Sequence, residues 1–147
     1  MNLMSKVSGS VVINAPIEKV FEYTASPANG PVFIPNLNEN SNISVSPTQV
    51  GQKWDWRFNM GGVDLRGSAE VTEVEPSKKW SLKSSGGGES SWTYTFETVD
   101  GGTKVGLDID YTIPEGVLGK MSAPVIEKIN QQNAEQGLQH LKTILES

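Results

Sequence analysis

The chain has no cysteine and a single histidine, His140. Without cysteine there is no disulfide framework, no thiolate nucleophile and no thiolate metal site, and a reducing compartment is compatible. With one imidazole, a nucleophile–base relay has only one candidate base, and a metal site would rest on carboxylates, so neither a metal nor another cofactor is expected. Basic residues are also few: 12 Lys and Arg stand against 17 Asp and Glu, a formal net charge of -5. Nucleic acid, whose phosphates call for a basic stripe, is not an expected partner, and an anionic membrane surface is disfavoured for the same reason. No apolar run approaches bilayer-spanning length, so stable membrane insertion is not expected either. The start, Met1-Asn2-Leu3-Met4-Ser5-Lys6, lacks the apolar core of a signal peptide, and the expected location is the cytoplasm. At 147 residues, one domain spanning positions 1–147 is the expectation.

What the sequence does contain is a change of period. From Val50 to Ile113 apolar residues alternate as on half-buried strands, and from Val117 to Leu145 they recur every three or four residues as on one long helix. Trp54, Trp56 and Phe58 alternate with Lys53, Asp55 and Arg57, while Trp92, Tyr94 and Phe96 alternate with Ser91, Thr93 and Thr95. Each strand therefore presents one aromatic face and one polar face. The terminal stretch with Val117, Met121, Val125, Ile129, Leu138, Leu141 and Leu145 is the candidate cover for the aromatic faces.

Along the chain, Val7, Gly9, Val11 and Ile13 read as a first strand, and Asn14-Ala15-Pro16 switches it into a helix with Asn14 or Ala15 at the cap and Pro16 in the first turn. Ser26-Pro27 and Asn29-Gly30-Pro31 break that helix, and Val32, Phe33 and Ile34 before Pro35 form a second short helix or turn with a lid-like character. Ile43 and Val45 mark a short strand. Glycine turns at Gly61-Gly62, Gly86-Gly87-Gly88 and Gly101-Gly102 then separate the strands of an antiparallel meander. The parity slips at Val74, which predicts a bulge or a strand end before Glu75-Pro76. The last helix would run for about 28 residues, roughly 42 Å. Pro124 either kinks it or marks its true start.

Strand, two short helices, meander and long final helix is the element order of the helix-grip fold. The chain resembles the SRPBCC superfamily, the START and birch-pollen-allergen type, and most closely its polyketide cyclase/dehydrase-like branch. The resemblance rests on Ser10-Val11-Val12-Ile13-Asn14-Ala15-Pro16-Ile17-Glu18-Lys19-Val20-Phe21-Glu22-Tyr23, the Gly67 to Pro76 strand ending in Glu-Pro, the Gly102-Thr103-Lys104-Val105 turn, and the helix ending Leu138, Leu141, Leu145. It implies an α+β fold: a curved antiparallel sheet of about seven strands wrapped around a long C-terminal helix, with two short helices after the first strand. It also implies an apolar tunnel whose mouth is formed by those helices and a hairpin loop. Members of the family bind or transport lipids, sterols and aromatic polyketides, and some catalyse cyclisation or dehydration.

Conventional catalytic sets are sparse. His140 lies at the edge of the helix's apolar stripe and reads as a flank histidine, with a pocket proton carrier as the alternative. Asp108 and Asp110 fall on the outward face opposite Leu107 and Ile109, and Glu70, Glu73 and Glu75 read as solubilising charges. Gly86-Gly87-Gly88 precedes a strand, so it is a turn rather than a phosphate loop. Arg57 and Arg66 are expected outside, beside Asp55 and Asp64. Any one aromatic is most simply core, but together several should line a cavity. The expected ligand-binding set is Phe33, Trp54, Trp56, Phe58, Trp92, Tyr94, Tyr111, Met121 and Val125, with Ile34 beside Phe33 at the mouth. Tyr94 and Tyr111 are the polar handles and the candidate catalytic residues. Three functions stay open: a binding module for a hydrophobic small molecule, a cyclase- or dehydratase-type enzyme acting by positioning and carbonyl polarisation, and a ligand-free structural or interaction domain. The long helix and an open sheet edge also allow a homodimer.

Overall fold

The computed structural model describes residues 4–147; the reading of Met1–Leu3 lies outside the described residues. Seven antiparallel strands form one curled sheet: β1 (Ser5–Ile13), β2 (Leu37–Ser41), β3 (Lys53–Met60), β4 (Val63–Glu75), β5 (Lys79–Ser85), β6 (Ser90–Val99) and β7 (Gly102–Tyr111), in the spatial order β1-β7-β6-β5-β4-β3-β2. Between β1 and β2 lie α1 (Ile17–Thr24), a 3-10 turn (Pro27–Asn29) and α2 (Gly30–Phe33); after β7 come α3 (Glu115–Leu118) and α4 (Ala123–Glu146).

The period-two reading holds because each strand has one face in the core. On β7, Thr103, Val105, Leu107, Ile109 and Tyr111 are buried, and on β1 the buried set is Val7, Val11 and Ile13. Leu138, Leu141 and Leu145 of α4 join the same cluster, so the helix lies in the concave face of the sheet. The β3–β4 turn is a two-residue one, with Met60 paired to Val63. Gly61 and Gly62 there have φ of +59° and +87°, a conformation in which a side chain would be strained. The bulge expected near Val74 is present, as a register shift between Val71 and Glu73 against β5.

Three details differ from the sequence reading. The helix foreseen from Val117 to Leu145 is broken: α3 ends at Leu118 with Gly119 as its cap, Ser122 is extended (φ -72°, ψ 153°), and Pro124 sits in the first turn of α4. Proline is tolerated there because the first-turn N–H has no intrahelical partner, so Pro124 marks a start. The break changes the helical phase, and Ile126 rather than Val125 is buried. The second strand is Leu37–Ser41, and Ile43 and Val45 fall in the loop after it. Its residues show no apolar alternation because this edge strand is held by backbone pairing, with Asn40 opposite Trp56 and Ser41 opposite Asp55. Finally, Pro16 is the extended residue before α1 (φ -61°, ψ 144°) rather than its first helical one.

The β1 edge is closed by α4. The Gln131 side-chain amide donates to the Ser8 carbonyl (2.8 Å) and accepts from the Ser8 N–H (3.4 Å). Lys142 Nζ donates to the Val12 carbonyl (2.9 Å), and the Asn14 N–H donates to Glu146 Oε2 (2.8 Å). These contacts satisfy edge groups that another strand would otherwise seek, and they fix how α4 lies across the sheet.

Candidate functional site

Between the concave sheet face and α4 the core is incomplete, leaving a cavity of about 170 Å³. Strand β3 contributes Trp54, Trp56 and Phe58 to its wall, all on the inward parity of that strand. Strand β5 adds Trp80 and Leu82, β6 adds Trp92 and Tyr94, and β7 adds Leu107, Ile109 and Tyr111. All four tryptophans of the chain thus line one space. Trp80 and Tyr94 stack at 5.1 Å with an 11° interplanar angle, which fixes both rings.

The helix side of the cavity is of a different composition. Where α4 faces it, the residues are Asn130, Asn133, Ala134, Gly137 and Leu138. Small and amide side chains in this stretch leave volume that a leucine stripe would fill. Gly137 has a further role, since a Cβ there would lie 3.2 Å from Pro35 Cδ and 3.4 Å from the Phe33 carbonyl oxygen. Its lack of a side chain lets the Phe33–Pro35 segment rest directly on the helix. His140 Nδ1 donates to that same carbonyl at 3.2 Å. Phe33 and Ile34 therefore roof the cavity, with Thr24, Ser26, Pro27 and Gly30 beside them. The β5–β6 loop closes another side with Gly87, Gly88 and Glu89. Gly67 makes that closure feasible: a Cβ on it would lie 2.0 Å from the Ser85 carbonyl oxygen and 2.5 Å from Trp56 Cζ2.

The wall carries few polar groups, and several have no partner. Trp92 Nε1 donates to Ser90 Oγ (3.0 Å), which also meets Ser84 Oγ (2.5 Å). By contrast, Trp56 Nε1, Trp80 Nε1, the Tyr111 hydroxyl and Asn40 Oδ1 are buried with no hydrogen-bond partner. Burial pushes the Tyr111 phenol above its ordinary value; the nearby side chains of Asn130 and Ser5 oppose this, and Glu127 adds to it. The fully buried Tyr94 phenol is pushed up strongly by desolvation alone. Both phenols are protonated at neutral pH and are able to donate a hydrogen bond. Glu89 is the one charged residue among the described residues lining the cavity.

The structure brings Phe33, Trp54, Trp56, Phe58, Trp92, Tyr94 and Tyr111 around one cavity and leaves Met121 and Val125 outside it. Met121 lies in the α3–α4 connection, its sulfur facing Gly61 at the β3–β4 turn, and Val125 is 47% exposed. Both were placed by counting through a helix that is in fact interrupted. The polar members of the wall, Asn40, Ser84, Ser90, Asn130 and Asn133, were missed, as was Trp80 as a lining residue. The available signal was the lapse of the apolar stripe between Ile129 and Leu138, filled by Asn130-Gln131-Gln132-Asn133-Ala134. Apart from Glu89, the charged side chains of these strands are paired outside the cavity. Arg57 contacts Asp64 (3.5 Å) and Glu39 (4.0 Å), Lys79 contacts Glu73 (3.0 Å), Lys53 contacts Glu70 (3.4 Å), and Lys6 contacts Asp110 (2.6 Å). Among the described residues no group of three or more His, Cys, Asp or Glu is arranged to hold a metal ion, and no helix is long and apolar enough to cross a membrane.

The fold is of the helix-grip kind, a curled antiparallel sheet with a cavity beneath its last helix. Residues 4–146 match the family described as polyketide cyclase / dehydrase and lipid transport, and the chain belongs to that family. Similar solved structures include the protein TTHA0849 of Thermus thermophilus, with a TM-score of 0.80 at 20% identity over 95% of this chain and 96% of that one. The ZhuI aromatase/cyclase of Streptomyces sp. R1128 has a TM-score of 0.77 at 18% identity, covering 98% of this chain and 94% of that one. The protein Ara h 8.0201 has a TM-score of 0.69 at 15% identity, covering 97% and 98%. At these identities the likeness concerns the fold. Among curated proteins no sequence matches the chain.

Proposed function

We propose that this protein, acting as a single domain, binds a hydrophobic small molecule in the cavity between the sheet and α4. The observation that carries the reading is the unfilled, largely apolar cavity whose lining residues hold unpartnered buried donors. A ligand-free scaffold has no use for such a void, whereas a binding site requires one. A cytoplasmic location, with neither nucleic acid as partner nor a bound cofactor, goes with this reading. Native mass spectrometry of freshly purified protein, followed by solvent extraction, tests it. A stoichiometric apolar adduct is the expected result. An adduct-free mass together with no binding to a panel of lipids and aromatic compounds would overturn it.

A second reading, a cyclase- or dehydratase-type enzyme, is favoured by one observation: the protonated and unpartnered Tyr111 hydroxyl on a wall residue. Such a donor can polarise a carbonyl while the walls hold a flexible chain in a reactive shape. ZhuI, which shares the fold, is named an aromatase/cyclase. In this case Tyr111→Phe and Tyr94→Phe abolish turnover while leaving binding largely intact. Full activity in both variants would exclude the mechanism.

A further inference from the structure

Resting on the binding reading above, we propose that the cavity selects its ligand by charge and size. It takes an uncharged single-ring compound with one short substituent carrying an acceptor oxygen, and it rejects the carboxylate of the same shape. Three observations converge on this. First, no Lys, Arg or His lines the cavity among the described residues, and its one acidic wall residue is Glu89. The basic side chains of the neighbouring strands are engaged outside, Arg57 and Arg66 with Asp64, and Lys79 with Glu73. An anion entering this space would leave water with no counter-charge to meet it.

Second, the unpartnered groups are mostly donors. An indole N–H donates only, so a ligand atom that comes within reach of Trp56 Nε1 or Trp80 Nε1, both buried, must accept. The Tyr111 phenol, held protonated by burial, adds a third donor. A carbonyl or ether oxygen meets this requirement at a small desolvation cost, whereas a carboxylate meets it only by bringing a full charge into an apolar space. Third, the cavity of about 170 Å³ is only slightly larger than the roughly 150 Å³ apolar cavity that accommodates benzene. One ring and a short substituent fill it.

The test uses three near-isosteric probes, acetophenone, ethylbenzene and benzoate, titrated into the full ¹⁵N-labelled protein while the four tryptophan indole N–H resonances are followed. Acetophenone should bind and move the Trp56 or Trp80 indole signal downfield. Ethylbenzene should bind without that downfield shift, and benzoate should bind at least about 30-fold more weakly than acetophenone. Benzoate binding within about threefold of acetophenone would overturn the charge selection while leaving the binding reading intact. If none of the three perturbs the resonances of cavity residues, this inference fails, while the binding reading still stands or falls by the adduct and ligand-panel measurements above.

Discussion

Tyr111→Phe removes one oxygen from the cavity wall, and the sign of its effect on stability follows from the surroundings of that oxygen. The hydroxyl is buried, with no partner in hydrogen-bonding geometry. An orphaned buried hydroxyl costs about 1–3 kcal/mol relative to its hydrated state in the unfolded chain. Removing it leaves a void of about 15 Å³, worth about 0.4 kcal/mol. The variant should therefore be more stable than the parent by about 1–2.5 kcal/mol, whereas Tyr→Phe at a bonded hydroxyl loses about 1 kcal/mol. Urea unfolding followed by tryptophan fluorescence reads this as a raised midpoint with an unchanged m-value. Thermal unfolding reads it as a Tm rise of about 2–4 °C per kcal/mol. Loss of about 1 kcal/mol would refute the reasoning, because it would mean that Asn130 or Ser5, both near the phenol, already hold the proton or the lone pairs. The same substitution should weaken acetophenone more than ethylbenzene, so a group that lowers the stability of the empty protein serves its ligand.

Alkali should destabilise the fold through the buried phenols. Tyr94, Tyr111 and Tyr23 all have pKa values raised above 10.0 by burial, so the folded state keeps protons that the unfolded state releases. Their contribution is intact below pH 10 and is lost as pH rises from there through the folded-state values, and Tyr94→Phe should flatten the decline most; an unchanged slope of Tm against pH in that variant would contradict this. Gly67→Ala should cost about 3 kcal/mol or more, or displace the β5–β6 loop, because the new Cβ meets backbone that cannot yield, at 2.0 Å from the Ser85 oxygen; wild-type stability with unshifted amide resonances at Gly86–Glu89 would disprove the close approach. Gly137→Ala sets a helix gain of about 1 kcal/mol against contacts at 3.2 and 3.4 Å with Pro35 and Phe33. Stability should stay within about 1 kcal/mol of the parent while the Phe33 and Ile34 amide signals move, and a full gain with those signals unmoved would show that the roof does not rest on the helix.

Much of the fold was legible because secondary-structure period is local. The alternation through Trp54, Trp56 and Phe58 follows from the strand's two-residue repeat, and it fixed which parity turns inward before any partner strand was known. The slip at Val74 marked a bulge for the same reason. Strand β2 was not legible: Leu37–Ser41 is polar and is a strand only because β3 offers it an unpaired edge. Met121 and Val125 lie outside the cavity because Gly119 and Pro124 interrupt the helix, and a stripe counted across a break loses its phase.

The sequence by itself determined the order of elements, the inward faces of the strands and the aromatic supply of the core, since each depends on residues a few positions apart. Only the tertiary structure decided that the core stays unfilled, that Asn130, Asn133 and Gly137 face the gap, and that two indole N–H groups and a phenol are left without partners. Volume and hydrogen-bond satisfaction are properties of groups brought together from distant parts of the chain. They are set by how α4 lies across the sheet, which the Gln131, Lys142 and Glu146 contacts to β1 and the chain just after it fix.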